Sequence, residues 1–175
     1  MRKILVVVDM QNDFITGALG TKEACAIVDN VVAKMGEYEQ ENIFLTRDTH
    51  YENYLDTQEG QKLPVVHCVK DTDGWQICGA VAAAAGEATV IDKPTFGSVE
   101  LASLLMTQRA REALEIELVG LCTDICVISN ALLLKAAMPE APIRVDARCC
   151  AGVTPESHKN ALDAMRMCQI EVVSD

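Results

Sequence analysis

Short aliphatic runs alternate along the chain with longer stretches in which apolar residues recur every three or four positions. The runs at 4–8, 42–46, 88–91, 117–121, 143–146 and 170–173 are rich in Val, Ile and Leu, and each predicts a strand. Between them, 21–36 carries Ala24, Ile27, Val28, Val31, Val32 and Met35 at helical spacing and stops at Gly36. Ser98 caps a predicted helix through Leu101, Leu104 and Leu105, and Thr154 followed by Pro155 starts another. Residues 124–137 and 80–85 supply two more. This alternation is the pattern of repeated βα units, so the fold class is α/β, read as a single domain over 1–175. Stretch 48–79 breaks the rhythm: it is polar, contains Gly and Pro, and keeps no period. Loops that long in a compact domain are functional or disordered. There is no internal repeat and no low-complexity tract.

Composition sharpens this picture. Half of the residues are hydrophobic while only 4% are aromatic, so the core is aliphatic, which suits parallel strands covered by helices. The formal net charge of −11 opposes approach to nucleic-acid phosphates and anionic membranes, and neither is expected as a partner. Arg2 and Lys3 precede an apolar run, but that run ends at Asp9 and is shorter than an export-signal core, so a cytoplasmic protein is expected. The eight cysteines read as reduced thiols, with Cys25 and Cys168 expected as small core hydrophobes. No Cys-x2-Cys pair supports a structural zinc through Cys68, Cys122, Cys149 and Cys150.

Parallel sheets of this kind place ligands beyond the carboxyl ends of their strands. Asp9 ends the first strand, Lys93 ends the third and is followed by Pro94, and Gly120-Leu121-Cys122-Thr123-Asp124-Ile125-Cys126 leads from the fourth strand into a helix. Taken singly, Asp9 is an ordinary turn residue and Lys93 an ordinary surface lysine. A phosphotransfer role for Asp9 is disfavoured, because Gln11 stands where a second Asp is needed. Cys126 falls in the first turn of its helix, where the helix dipole and a nearby ammonium would lower a thiol from about 8.5 into the range of roughly 3.5 to 7.5. Asp48, His50 and His67 form a second constellation, holding two of the three histidines, and can offer three ligands to a divalent ion. A non-catalytic nucleotide-binding or redox module is disfavoured, since neither Gly-x-Gly-x-x-Gly nor Gly-Lys-Ser/Thr occurs.

Five motifs in order carry a resemblance along essentially the whole chain: Val7-Val8-Asp9-Met10-Gln11-Asn12-Asp13-Phe14, Thr46-Arg47-Asp48-Thr49-His50, Leu63-Pro64-Val65-Val66-His67-Cys68 before Trp75, Asp92-Lys93-Pro94-Thr95-Phe96, and Gly120 through Val127. The sequence resembles the isochorismatase-like cysteine hydrolases, and within them the nicotinamidase-type amidases. The resemblance implies a three-layer Rossmann-like fold with a six-stranded parallel sheet flanked by helices. It implies a catalytic triad of Asp9, Lys93 and Cys126, an oxyanion hole from the backbone N–H groups of Cys122 and Cys126, and a cis peptide between Leu121 and Cys122. It assigns a metal, zinc with iron or manganese as alternatives, to Asp48, His50 and His67, with Asp56, Glu59 or water left open as a further ligand. Phe14, Trp75 and Phe96 are expected around the substrate, a small carboxamide such as nicotinamide. The alternative is a metal-free relative acting on another amide, a carbamoyl or a ureido compound. A homodimer or homotetramer is expected from the same likeness.

Overall fold

The computed structural model of the chain describes residues 1–174. Its strands are β1 (Arg2–Val8), β2 (Ile43–Asp48), β3 (Thr89–Lys93), β4 (Leu114–Leu121), β5 (Ile143–Ala151) and β6 (Glu171–Val173). They form one six-stranded sheet in the order β3-β2-β1-β4-β5-β6, and every neighbouring pair is parallel. The first half of the chain builds outward from β1 on one side and the second half on the other. The order reverses between β1 and β4, and at such a switch point the connections leave in opposite directions and open a crevice above the carboxyl ends.

The helices are α1 (Asn12–Ile15), α2 (Lys22–Ala26), α3 (Val28–Met35), α4 (Gln58–Lys62), α5 (Gly79–Ala85), α6 (Val99–Arg109), α7 (Ile128–Ala137) and α8 (Pro155–Met167). Alternate residues of β1 face opposite sides, as the period of a strand requires. Ile4, Val6 and Val8 join one buried cluster with Leu101 and Leu105 of α6, Leu134 of α7 and Met165 of α8. Leu5 and Val7 join the other, with Phe14 of α1, Val31 of α3 and Val81 of α5. The result is three layers with an aliphatic core on each face of the sheet. None of the helices among the described residues is long and apolar enough to cross a membrane.

Local signals behave as their chemistry requires. Ser98 accepts from the Leu101 N–H at the start of α6, and Thr154 forms a reciprocal capping box with Ser157 ahead of α8, with Pro155 at its start. Segment 48–79, expected to be functional or disordered, is ordered and contains α4. Two expectations need correction. The predicted helix over 21–36 is two helices, interrupted at Ile27. Cys25 and Cys168 are exposed rather than core residues: Cys25 sits on the outer side of α2 with its thiol on the Ile15 carbonyl at 3.2 Å, and Cys168 only caps the end of α8.

Candidate active site

The carboxyl ends of β1, β3 and β4 bring Asp9, Lys93 and Cys126 together. Asp9 is wholly buried and adopts a left-handed conformation at φ 47°, a geometry that non-glycine residues hold only where their surroundings enforce it. Its two oxygens have separate partners: Oδ1 accepts from the Thr46 hydroxyl at 2.7 Å, and Oδ2 lies 2.7 Å from the Lys93 ammonium. Lys93 also donates to the Thr95 carbonyl at 3.1 Å and reaches the Cys126 sulfur at 3.5 Å and Asp48 Oδ1 at 3.5 Å. A buried ammonium must be paired on all sides, and this one is.

Cys126 lies in a π-helical turn, Thr123–Val127, that follows β4 and runs into α7. The Val127 N–H donates to the Cys122 carbonyl at 3.0 Å, five residues back, and wide turns of this kind recur at functional sites. The Leu121–Cys122 peptide is cis, as the resemblance implies. Asn130, buried in α7, holds the turn from the other side by donating to the Cys126 carbonyl at 2.8 Å. It also donates to the Phe96 carbonyl at 3.1 Å and accepts from the Ser98 N–H at 2.8 Å, so the β3 loop and the cysteine turn share one anchor.

Burial opposes the lowering of the Cys126 thiol that helix position and a nearby ammonium would give. Burial raises it well above the ordinary cysteine value, the Asp9 carboxylate adds to this, and the Lys93 ammonium only partly opposes it. Burial also pushes the Asp9 carboxyl up against the pull of Lys93. Lys93 itself loses some proton affinity to burial, but Asp9, Cys126 and Asp48 together more than restore it. Burial thus favours the neutral thiol, with the Asp9 carboxyl and the Lys93 ammonium both within reach of it.

The metal-type constellation lies beside this trio. One ligand atom each from Asp48, His50, Glu59 and His67 falls within 4.8 Å of all the others. Asp48 Oδ2 lies 3.0 Å from His50 Nε2 and 3.7 Å from His67 Nε2, while Glu59 Oε1 lies 3.6 Å and 3.8 Å from the same two nitrogens. A zinc ion with bonds of about 2.0 to 2.1 Å separates neighbouring tetrahedral ligands by roughly 3.4 Å, so the group fits. Two further observations agree. His67 Nδ1 bonds the Val65 carbonyl at 2.7 Å, which leaves Nε2 free to ligate, and His50 Nε2 is buried without a hydrogen-bond partner of good geometry. Glu59, on α4, joins this group; Asp56 is exposed and does not. Asp48 is gripped by Gln11, which accepts from its N–H at 2.7 Å and donates to its carbonyl at 2.9 Å. Asp13 accepts from the Cys68 N–H at 2.7 Å and so fixes the segment next to His67.

Both constellations open on one cavity of about 540 Å³, lined by Phe14, Asp48, Glu59, His67, Phe96, Cys122 and Cys126 among others. Trp75 does not line it. Its indole N–H donates to Thr49 at 2.9 Å, the Arg47 guanidinium stacks 3.4 Å above its ring, and it supports the Asp48–His50 segment from behind within the core. Sequence reading missed Gln11, Asn130 and Thr46. It also missed the contact in which His158 Nδ1 of α8 meets the Thr123 hydroxyl at 2.7 Å. These residues act through long-range hydrogen bonds, which leave no local periodicity to read.

The family model described as the isochorismatase domain matches residues 3–175. The chain belongs to the isochorismatase family. Among curated relatives of this isochorismatase-family chain, a nicotinamidase/pyrazinamidase of Mycobacterium tuberculosis is 26% identical, with 98% of each chain covered. A pyrazinamidase of Pyrococcus horikoshii, solved in complex with zinc, is 27% identical over the whole of both chains with a TM-score of 0.82. An N-carbamoylsarcosine amidase of Thermoplasma acidophilum is 28% identical, covers 99% of this chain and 96% of its own, and has a TM-score of 0.79.

Proposed function

We propose that this isochorismatase-family protein is a nicotinamidase-like amidohydrolase that cleaves the amide C–N bond of a small pyridine carboxamide through a thioester on Cys126. One observation carries the reading. The Lys93 ammonium touches the base at 2.7 Å, the nucleophile at 3.5 Å and the Asp48 carboxylate at 3.5 Å, so nucleophile, base and metal-type group form one connected site.

Cys126 Sγ attacks the amide carbon as its proton passes to Asp9, and Lys93 stays charged to stabilise the sulfur as negative charge develops. The backbone N–H groups of Cys122 and Cys126 receive the oxyanion, a contribution of about 3 to 4 kcal/mol per donor in comparable acyl-transfer sites. Asp9 returns its proton to the leaving nitrogen, and ammonia departs. A water that loses a proton to Asp9 then adds to the thioester carbon, the C–S bond breaks to release the acid, and Asp9 returns that proton to the sulfur. Asp48, His50, His67 and Glu59 would hold a divalent ion, zinc by the likeness to the zinc-bound pyrazinamidase. An ion held by these four side chains would have to accept a further ligand to bind a pyridine nitrogen, and in doing so would orient the ring.

Ammonia release from nicotinamide and from pyrazinamide, measured with metal analysis of the same preparation, tests the reading. Cys126→Ala should abolish release with metal retained. His50→Ala and Glu59→Gln should lower metal content, and release should fall with it. Hydrolysis of a carbamoyl compound by metal-stripped protein, with none of a pyridine carboxamide, would favour the relationship to the carbamoylsarcosine amidase instead.

A further inference from the structure

The cavity above Cys126 extends beyond the reactive groups along a wall that is mainly apolar, with Thr21, Gln58, Lys62 and Thr95 set among the apolar side chains. Its volume of about 540 Å³ lies in the range of about 300 to 1,000 Å³ typical of sites that enclose drug-sized ligands. Its chemically active groups are Asp48, Glu59, His67 and Cys126. Opposite interests are served by Leu19 between α1 and α2, Leu63 at the end of α4, Phe96 after β3, Ile125 in the π-helical turn and Val153 after β5, all of which line the same space. Leu63, Phe96 and Val153 remain 38%, 43% and 52% exposed. Large apolar side chains from three separate connections, left in water around one cavity, are not explained by core packing, and such clustering marks a surface that a ligand covers.

We propose that the preferred substrate is an aromatic carboxamide larger than a single pyridine ring, with a fused second ring or a compact apolar substituent seated among Leu63, Phe96 and Val153. The inference rests on the amidohydrolase reading and leaves its chemistry as stated: the amide C–N bond breaks, water oxygen joins the acyl carbon, and ammonia leaves. An uncharged apolar extension is favoured because covering these three side chains removes both surfaces from water at once.

The test compares ammonia release from nicotinamide and from quinoline-3-carboxamide by the purified metal-loaded protein. The bicyclic amide should have a kcat/KM about tenfold higher, carried mainly by KM, the size of effect that added apolar contact gives in such pockets. Leu63→Asp and Val153→Asp should each lower the ratio of the two kcat/KM values by about fivefold or more. A bicyclic amide turned over more slowly than nicotinamide overturns the inference and leaves the hydrolase reading standing, as does a ratio that neither variant moves. Slow bicyclic turnover together with a smaller assembly mass in both variants would assign the apolar rim to contact with a second copy of this chain, which also overturns it. No ammonia from either amide defeats the hydrolase reading and this inference with it.

Discussion

Asp9 has two opposed effects on Cys126, and one substitution separates them. Its charge raises the thiol, second only to burial, and in the proposed mechanism its carboxylate accepts the proton when the thiol attacks. Asp9→Asn removes both. The thiol should then ionise at lower pH, so iodoacetamide should label Cys126 faster at a fixed, mildly alkaline pH, read by mass spectrometry. Amide hydrolysis should fall by at least about 100-fold in the same protein, because general-base assistance is worth about 10²- to 10⁴-fold. Slower labelling combined with lost hydrolysis would assign Asp9 to holding the site together rather than to moving a proton. At this scale Asp9 and Lys93 were legible as reactive side chains at the ends of apolar runs and Cys126 as a thiol at a helix start, while their grouping as a triad came from the resemblance. The direction of the thiol shift was not legible: helix position and a neighbouring lysine argue downward, and only complete burial beside a carboxylate reverses the sign.

At the scale of elements, the meeting of β1 and β4 depends on Gly120. It sits at φ +115°, and a Cβ there would lie 2.1 Å from the Val8 carbonyl oxygen. The strand carrying the cysteine turn can approach the strand carrying Asp9 only because no side chain intervenes. Gly120→Ala should therefore cost about 2 kcal/mol or more, from strain together with the clash. The urea midpoint should drop with little change in slope; an unshifted midpoint would contradict this account of how the two strands meet. The other element-level differences share a cause. Segment 48–79 lacks periodicity because its order comes from distant partners: the His50 N–H donates to the Cys68 carbonyl and the Lys70 N–H to the His50 carbonyl, both at 2.9 Å, while Gln11 and Asp13 hold it to the first βα connection. β5 runs on to Ala151 past its apolar run, through a register shift opposite Leu118 and Gly120, where Arg148 folds back to bond Asp146.

Across the whole molecule, the charges buried within the sheet region are distinct from those of the cavity. Lys34 lies 3.2 Å from Asp146 and 3.6 Å from Glu117, and Arg148 lies 2.9 Å from Asp146. Burial alone would raise the Asp146 carboxyl, but Arg148 and Lys34 outweigh it and hold it below the usual aspartate value. The folded protein then binds fewer protons here than the unfolded chain. The stability this site contributes is fully present above the unfolded value of about 3.9 and is lost as pH falls through the lower folded value. Asp146→Asn should lower unfolding free energy at neutral pH and flatten its decline on the acid side, measured by denaturant titration at several pH values. Parallel acid limbs in the two proteins would exclude Asp146 as a source of the decline. The linear sequence by itself determined the six aliphatic strands, the caps of the later helices, the reactive residues that end β1 and β3, and the Asp48–His50 pair, because each depends on neighbours within one element. Only the tertiary structure decided the strand order, the nearness of Glu59 rather than Asp56 to the histidines, the withdrawal of Trp75 into the core and the burial of Cys126 beside Asp9. Each of these depends on groups brought together from distant parts of the chain and on the exclusion of water, and burial belongs to the assembled body rather than to any stretch of sequence.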